Sequence, residues 1–175
     1  MHLFLDINRR IRTYCQGERQ FSDPGFRMRA MHKASSQTFA STACNCLALR
    51  QAARHVTQIY DSHLSSEGLR TTQYSILAKL NRLGPLSINE LAKSMVMDRT
   101  TLGRAIRPLE RDRLLMIAAG DDGRTRSLRL TAKGEARLKA AAPKWRAAQK
   151  EFETAFGARD AAGLRDVLQR VVSVN

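Results

Sequence analysis

The sequence predicts a mainly α fold carrying one small β-hairpin. Two observations predict it. From Cys44 onward, apolar residues recur at three- and four-residue steps, broken by Gly and Pro. Only one stretch, between Leu114 and Leu130, reads as a pair of strands around a Gly-rich turn.

The elements follow in order. Cys46, Leu49, Ala53, Val56, Tyr60 and Leu64 form one stripe on a long helix that Gly68 ends. Thr71 is the expected N-cap of a second helix with Tyr74, Leu77, Leu80 and Leu83 on its inner face, stopped by Gly84-Pro85. Ser87 and Glu90 then form a capping box. Ile88, Leu91, Ala92 and Met95 give a helix of about two turns. Asp98 is the next N-cap, and Leu102, Ala105, Ile106 and Leu109 face inward on the helix it opens. Only Val96 and Met97 separate these two helices, which is a helix-turn-helix pattern.

Leu114 to Ala118 predicts a strand, Gly120 to Arg124 a turn, and Ser127 to Leu130 the returning strand, together a wing. Thr131 caps a long helix with Leu138, Ala141, Trp145, Ala148, Phe152 and Ala155 on one seam and an expected bend at Pro143. After Gly157, Asp160 precedes a last helix bearing Leu164, Val167, Leu168 and Val171. The predicted architecture is a winged helix-turn-helix over 70–131, flanked by dimerisation helices over 43–67 and 132–175. Residues 1–42 mix Gly, Ser, Pro, Arg and Gln without sustained periodicity and read as a basic, disordered or weakly helical extension.

Charge narrows the function classes. The 175 residues hold 30 Lys+Arg against 16 Asp+Glu, a net charge of +14. The excess is spread over the chain, so a folded surface carries part of it and a polyanionic partner is expected. With 43% hydrophobic residues the chain can bury a core, and no apolar run approaches the roughly 18 residues of a membrane span. Three cysteines are too few for a disulfide scaffold and predict a reducing, cytoplasmic setting. A Gly-rich phosphate loop, a zinc hydrolase motif and a nucleophile elbow are all missing, so no enzyme is expected. No RNA-binding aromatic motif is present either.

Duplex DNA offers a major groove wide enough for one α-helix. Arg99, Thr100, Thr101 and Arg104 open the second helix of the pair. Arg99 and Arg104, about a turn and a half apart, are expected to face the same groove. Arg suits the paired acceptors of guanine. Arg124 at the hairpin tip suits an adjacent minor groove, with Asp122 holding its posture. Ser87, Asp98, Arg107 and Arg126 complete the expected DNA-binding set. Taken singly, each has an ordinary alternative as a cap or a solvated side chain. The ordered set is what carries specificity.

Ile88-Asn-Glu-Leu-Ala-Lys, Asp98-Arg-Thr-Thr-Leu-Gly-Arg, Leu109-Glu-Arg and Asp122-Gly-Arg124 followed by Leu130-Thr131 resemble the MarR family of winged-helix regulators over residues 43–175. The resemblance implies a homodimer on a pseudo-palindromic operator of double-stranded DNA, acting mostly as a repressor. Release would come from a small effector, phenolic or lipophilic, or from oxidation by a hydroperoxide. It implies a recognition helix beginning at Asp98 and a wing arginine at Arg124. The dimerisation residues would be Leu49, Val56, Leu138, Trp145, Phe152, Leu164, Leu168 and Val171. Arg113 stands where members commonly carry Gly, and Pro108 sits late in the recognition helix, where a kink is expected.

Cys44 and Cys46 lie at the start of the first helix, where unpaired amides favour a thiolate. In the resemblance, Cys46 matches the reactive cysteine of the hydroperoxide sensors and Tyr60 one of the tyrosines around it, while Arg50 and Thr71 stand where others occur. His63, Tyr60, Tyr74 and Trp145 are candidate lining residues of a ligand cavity. Cys44, Cys46, His55 and His63 lack zinc-ligand spacing, so neither a metal nor a cofactor is expected.

Overall fold

The computed structural model describes residues 44–119 and 126–173. The expected extension 1–42 and the hairpin-tip residues Asp122 and Arg124 lie outside them.

Helix α1 spans Asn45–Leu64. Cys44 precedes it in extended conformation, and its Sγ accepts the Leu47 amide at 3.4 Å. A single 3-10 turn, Ser65–Glu67, and Gly68 at φ +68° end the run, as a left-handed glycine allows. Helix α2 spans Thr71–Leu83. The expected cap shifts by one residue: Arg70 holds the N-cap position and Thr71 is the first helical residue. The cause lies on α1, where Asp61 Oδ1 accepts both the amide and the hydroxyl of Thr71 at 2.7 Å. The capping oxygen thus comes from a neighbouring helix. Tyr74, Leu77 and Leu80 are buried, with Ile76 beside them. Leu83, expected on the same face, is exposed, because the helix ends with it.

Strand β1, Leu86–Ser87, leads into α3, Ile88–Met95, and then α4, Arg99–Arg111. Helix α4 runs on through Pro108. Strands β2, Leu115–Ala119, and β3, Arg126–Leu130, form the expected hairpin. The sheet order is β1-β3-β2, antiparallel throughout, with Leu128 opposite both Leu86 and Ile117. The third strand escapes sequence reading because two residues carry no period.

Helix α5, Ala132–Phe156, starts where Thr131 Oγ1 accepts the Gly134 amide at 3.0 Å, and it continues through Pro143. Helix α6 spans Ala158–Val172. Asp160 falls inside its first turn rather than before it, since Gly157 at φ +96° makes the break between α5 and α6 by itself. Helix α1 packs along α5, and α2 also lies on α5.

The core joins Leu64, Ile76 and Leu77, Leu91, Leu102 and Leu109, Leu115 and Leu128, all at most 1% exposed. Each such side chain gains about 1.5–3 kcal/mol gross from leaving water. Two backbone positions tie the wing to the helices. Arg113 adopts φ +57°, the left-handed conformation that its Gly-like position implied. Gly134 meets the backbone so closely that an added Cβ would stand 1.9 Å from the Leu114 carbonyl oxygen. Opposite effects are therefore expected at the two sites. Gly134→Ala should destabilise by about 3 kcal/mol through overpacking against backbone. Arg113→Gly should stabilise by up to about 1 kcal/mol by removing a left-handed Cβ. Denaturant unfolding of both variants checks this, and equal signs would contradict the geometry.

Candidate nucleic-acid interface

The α3–α4 joint is built from local chemistry. Ser87 Oγ accepts the Glu90 amide at 3.2 Å, and the Ser87 amide donates to Glu90 Oε2 at 2.8 Å. Helix α3 ends at Val96 in the left-handed region, φ +53°, with its amide and that of Met97 closing the turn onto Lys93 and Ala92 carbonyls. Asp98 Oδ1 then accepts the Thr101 amide at 2.8 Å, and Oδ2 accepts its hydroxyl at 2.5 Å. The Thr101 hydroxyl and then its amide hold Asp98 below the ordinary carboxylate range. The Ser87 hydroxyl and amide do the same for Glu90. Ser87, Asp98 and Thr101 are thus engaged as caps, a structural role within their own helices.

An α-helix turns about 100° per residue. Thr100, Arg104, Arg107 and Arg111 therefore share one stripe of α4, and all four are exposed. Leu102, Ile106 and Leu109 occupy the opposite side and are buried. The stripe is about 16 Å long. Arg99 is exposed and lies about 140° around the helix from Arg104, off this stripe. Arg111 belongs to the stripe and was missed, although its position four residues beyond Arg107 signals it. Its Nε pairs with Asp112 Oδ1 at 3.1 Å. Arg126 is exposed at the start of β3, opposite Ala119.

The candidate sensor residues separate into two places. Cys46 is exposed on the first turn of α1, and Tyr60 lies fourteen residues along the same helix, about 21 Å away. Tyr60, Tyr74 and Trp145 come together from α1, α2 and α5. Tyr74 stacks on Trp145 with centroids 6.0 Å apart, and Tyr60 meets it edge-on at 6.5 Å. The Tyr60 hydroxyl donates to Gln149 Oε1. Burial raises both tyrosine pKa values, and Glu153 adds to the effect at Tyr60, so both phenols stay protonated at neutral pH. His63 Nε2 lies 2.7 Å from Glu151 Oε2.

The candidate dimerisation residues divide too. Leu49, Leu168 and Val171 are exposed, as are Phe156 and Val167 beside them. Val56, Phe152 and Leu164 are half-buried, and Phe152 stacks on Phe156 at 5.4 Å. Leu138 is buried in the core of its own chain, and Trp145 is held by its own tyrosines. Among the described residues, no three His, Cys, Asp or Glu side chains are grouped to hold a metal, and no helix is long and apolar enough to cross a membrane.

The carboxylate caps have a pH signature. Because the folded pKa values of Glu90 and Asp98 are lowered, their stabilisation is present above about pH 4, the unfolded value, and is lost as pH falls through the folded values. The Thr101 amide resonance should follow Asp98 with a midpoint below about 4. Asp98→Asn should abolish that titration while keeping the helix start, whereas an acid-insensitive amide in the wild type would refute the cap.

The MarR family model matches residues 69–116, which hold α2, β1, α3 and α4. Comparison with curated protein sequences gives no match. Among solved structures, the Mycobacterium tuberculosis transcriptional regulator MosR, crystallised with DNA, is 38% identical, with 73% of this chain and 98% of that one covered and a TM-score of 0.61. Bordetella bronchiseptica BpsR, whose DNA binding is regulated by 6-hydroxynicotinic acid, is 18% identical, with 83% and 100% covered and a TM-score of 0.67. Apo MarR from Escherichia coli is 18% identical, with 73% and 96% covered and a TM-score of 0.60. The last two show the fold alone. A family match over the helix-turn-helix, joined to 38% identity across nearly all of a solved transcriptional regulator, means that this chain belongs to the MarR family of transcriptional regulators.

Proposed function

We propose that the protein is a homodimeric, sequence-specific DNA-binding repressor that reads a pseudo-palindromic operator and is released by a small effector. The observation that carries this reading is the outward stripe Thr100, Arg104, Arg107 and Arg111 on α4, set opposite a sealed apolar side. Arginines at this spacing present forked donors to guanine edges and to phosphates along one groove. The DNA crystallised with MosR supports it.

Exposed Leu49 at one end of α1 and Phe156, Leu168 and Val171 at the far end of the chain support self-association. Apolar groups of this size on terminal helices favour a second copy as cover. For the effector, the ring cluster of Tyr60, Tyr74 and Trp145, with His63 nearby in sequence, supports an aromatic or phenolic ligand. The regulation of BpsR by 6-hydroxynicotinic acid is in keeping with that class.

A second reading has one observation in its favour: Cys46 is an exposed, free thiol on the first turn of α1. Its thiolate would attack a hydroperoxide, forming a sulfenic acid as the O–O bond breaks and an alcohol leaves. Tyr60 of the same chain is too distant to assist.

Two measurements test the main reading. Arg104→Ala should relax base preference at the operator and cost about 1–3 kcal/mol of specific binding. Equal loss on operator and random DNA would remove its reading role. In sedimentation, the wild type should be a dimer and Leu168→Glu should shift towards monomer; a monomeric wild type would end the homodimer reading. Hydroperoxide should lower operator affinity in the wild type and not in Cys46→Ser only if the thiol reading holds.

A further inference from the structure

We propose that the cleft between the exit of α4 and the start of α5 binds a phosphate-class polyanion; its regulatory meaning rests on the DNA-binding reading, its existence does not. The cleft is open, of about 430 Å³, and is lined by four cations, Arg111, Arg113, Lys133 and Arg137, against one carboxylate, Asp112. Leu114 supplies its only apolar side chain. Such walls suit a compact, multiply charged ligand and not the lipophilic class expected elsewhere in the fold.

Only one of the four charges is neutralised. Arg111 pairs with Asp112. Lys133 Nζ donates to the Asp112 backbone carbonyl at 2.9 Å, and Arg137 Nη1 donates to the Glu67 carbonyl. Both acceptors are neutral, so they fix the position of each cation and leave its charge and further donors available. Arg137 lies over Gly68, where an added Cβ would come 3.4 Å from Nη1. Arg113 supplies a second, independent sign. It holds a left-handed backbone at φ +57°, and its side chain has no partner among the described residues. The backbone is held from within, its amide on the Glu110 carbonyl and its carbonyl on the Thr131 hydroxyl, so the guanidinium is the part left for an external anion. Three uncompensated cations repel one another across the cleft, and an anion reverses that term. An anion bridging Arg113 and Arg137 would tie the exit of the DNA-facing helix to α5.

The phosphate can come from a free oligophosphate or from the backbone of a bound duplex. The test uses the full chain and two probes. Tripolyphosphate is titrated calorimetrically into wild type, Arg113→Gly, Lys133→Gln and Arg104→Ala. The salt dependence of binding to a random 30-base-pair duplex is then measured for the same proteins. Arg113→Gly removes a cation while relieving the positive φ, so its melting temperature should not fall and lost binding cannot be blamed on unfolding. A free-anion site predicts saturable tripolyphosphate binding, weakened at least tenfold in Arg113→Gly and Lys133→Gln, unchanged in Arg104→Ala, with the DNA salt slope unaffected. A duplex-backbone site predicts a salt slope reduced by about one in each cleft variant. Tripolyphosphate affinity and salt slope both unchanged in the two cleft variants would overturn the proposal. Cleft-dependent tripolyphosphate binding by a chain that binds no DNA would sink the proposed function and leave the site standing.

Discussion

The burial of Leu102, Ile106 and Leu109 sets the rotation of α4 about its own axis, and the proposed DNA contact depends on that rotation. A helix has one azimuth. Once its apolar side is sealed against α2 and α3, the residues at the opposite angle must face water. Those residues are Thr100, Arg104, Arg107 and Arg111. Turning the helix to hide the arginines would strand charges in the core, which costs far more than burial returns. The cationic stripe is thus a consequence of packing, not a separate feature of the surface.

The joint before α4 holds that azimuth in place along the axis. Val96 takes a left-handed backbone that a β-branched residue adopts only under constraint. The compensation comes from both sides: two amides close onto the end of α3, and Asp98 accepts the Thr101 amide in the first turn of α4. At the other end, Arg113 makes a second left-handed turn and Thr131 reaches back, its hydroxyl donating to the Arg113 carbonyl at 2.7 Å. Gly134 lets α5 lie against the Leu114 backbone. Helix α4 is thus clamped at both ends by backbone and capping hydrogen bonds.

Most of this was legible in the sequence because its determinants are local. Ser87 with Glu90, Asp98 with Thr101, and Thr131 with Gly134 each act across three residues, so pattern reading finds them. The period of α4 shows its apolar seam in the sequence, and continuing that period four residues past Arg107 places Arg111 on the opposite stripe. What sequence could not show is long-range. Asp61 caps α2 from a different helix, ten residues upstream of Thr71. Strand β1 exists only because β3 is present to pair with it. Leu138 and Trp145 share a helical period with exposed positions, and periodicity does not say whether an apolar seam meets its own chain or a second one. The cationic cleft joins Gly68, Arg113 and Arg137, which no short window contains.

Hydrogen exchange with and without a genomic duplex selected by the protein itself decides whether α4 makes the DNA contact. New protection is expected in the amides from Asp98 to Arg107, in the first turns of α4, with α6 unchanged by DNA. Protection confined to α6 and the outer side of α5, with α4 exchanging as before, would contradict it.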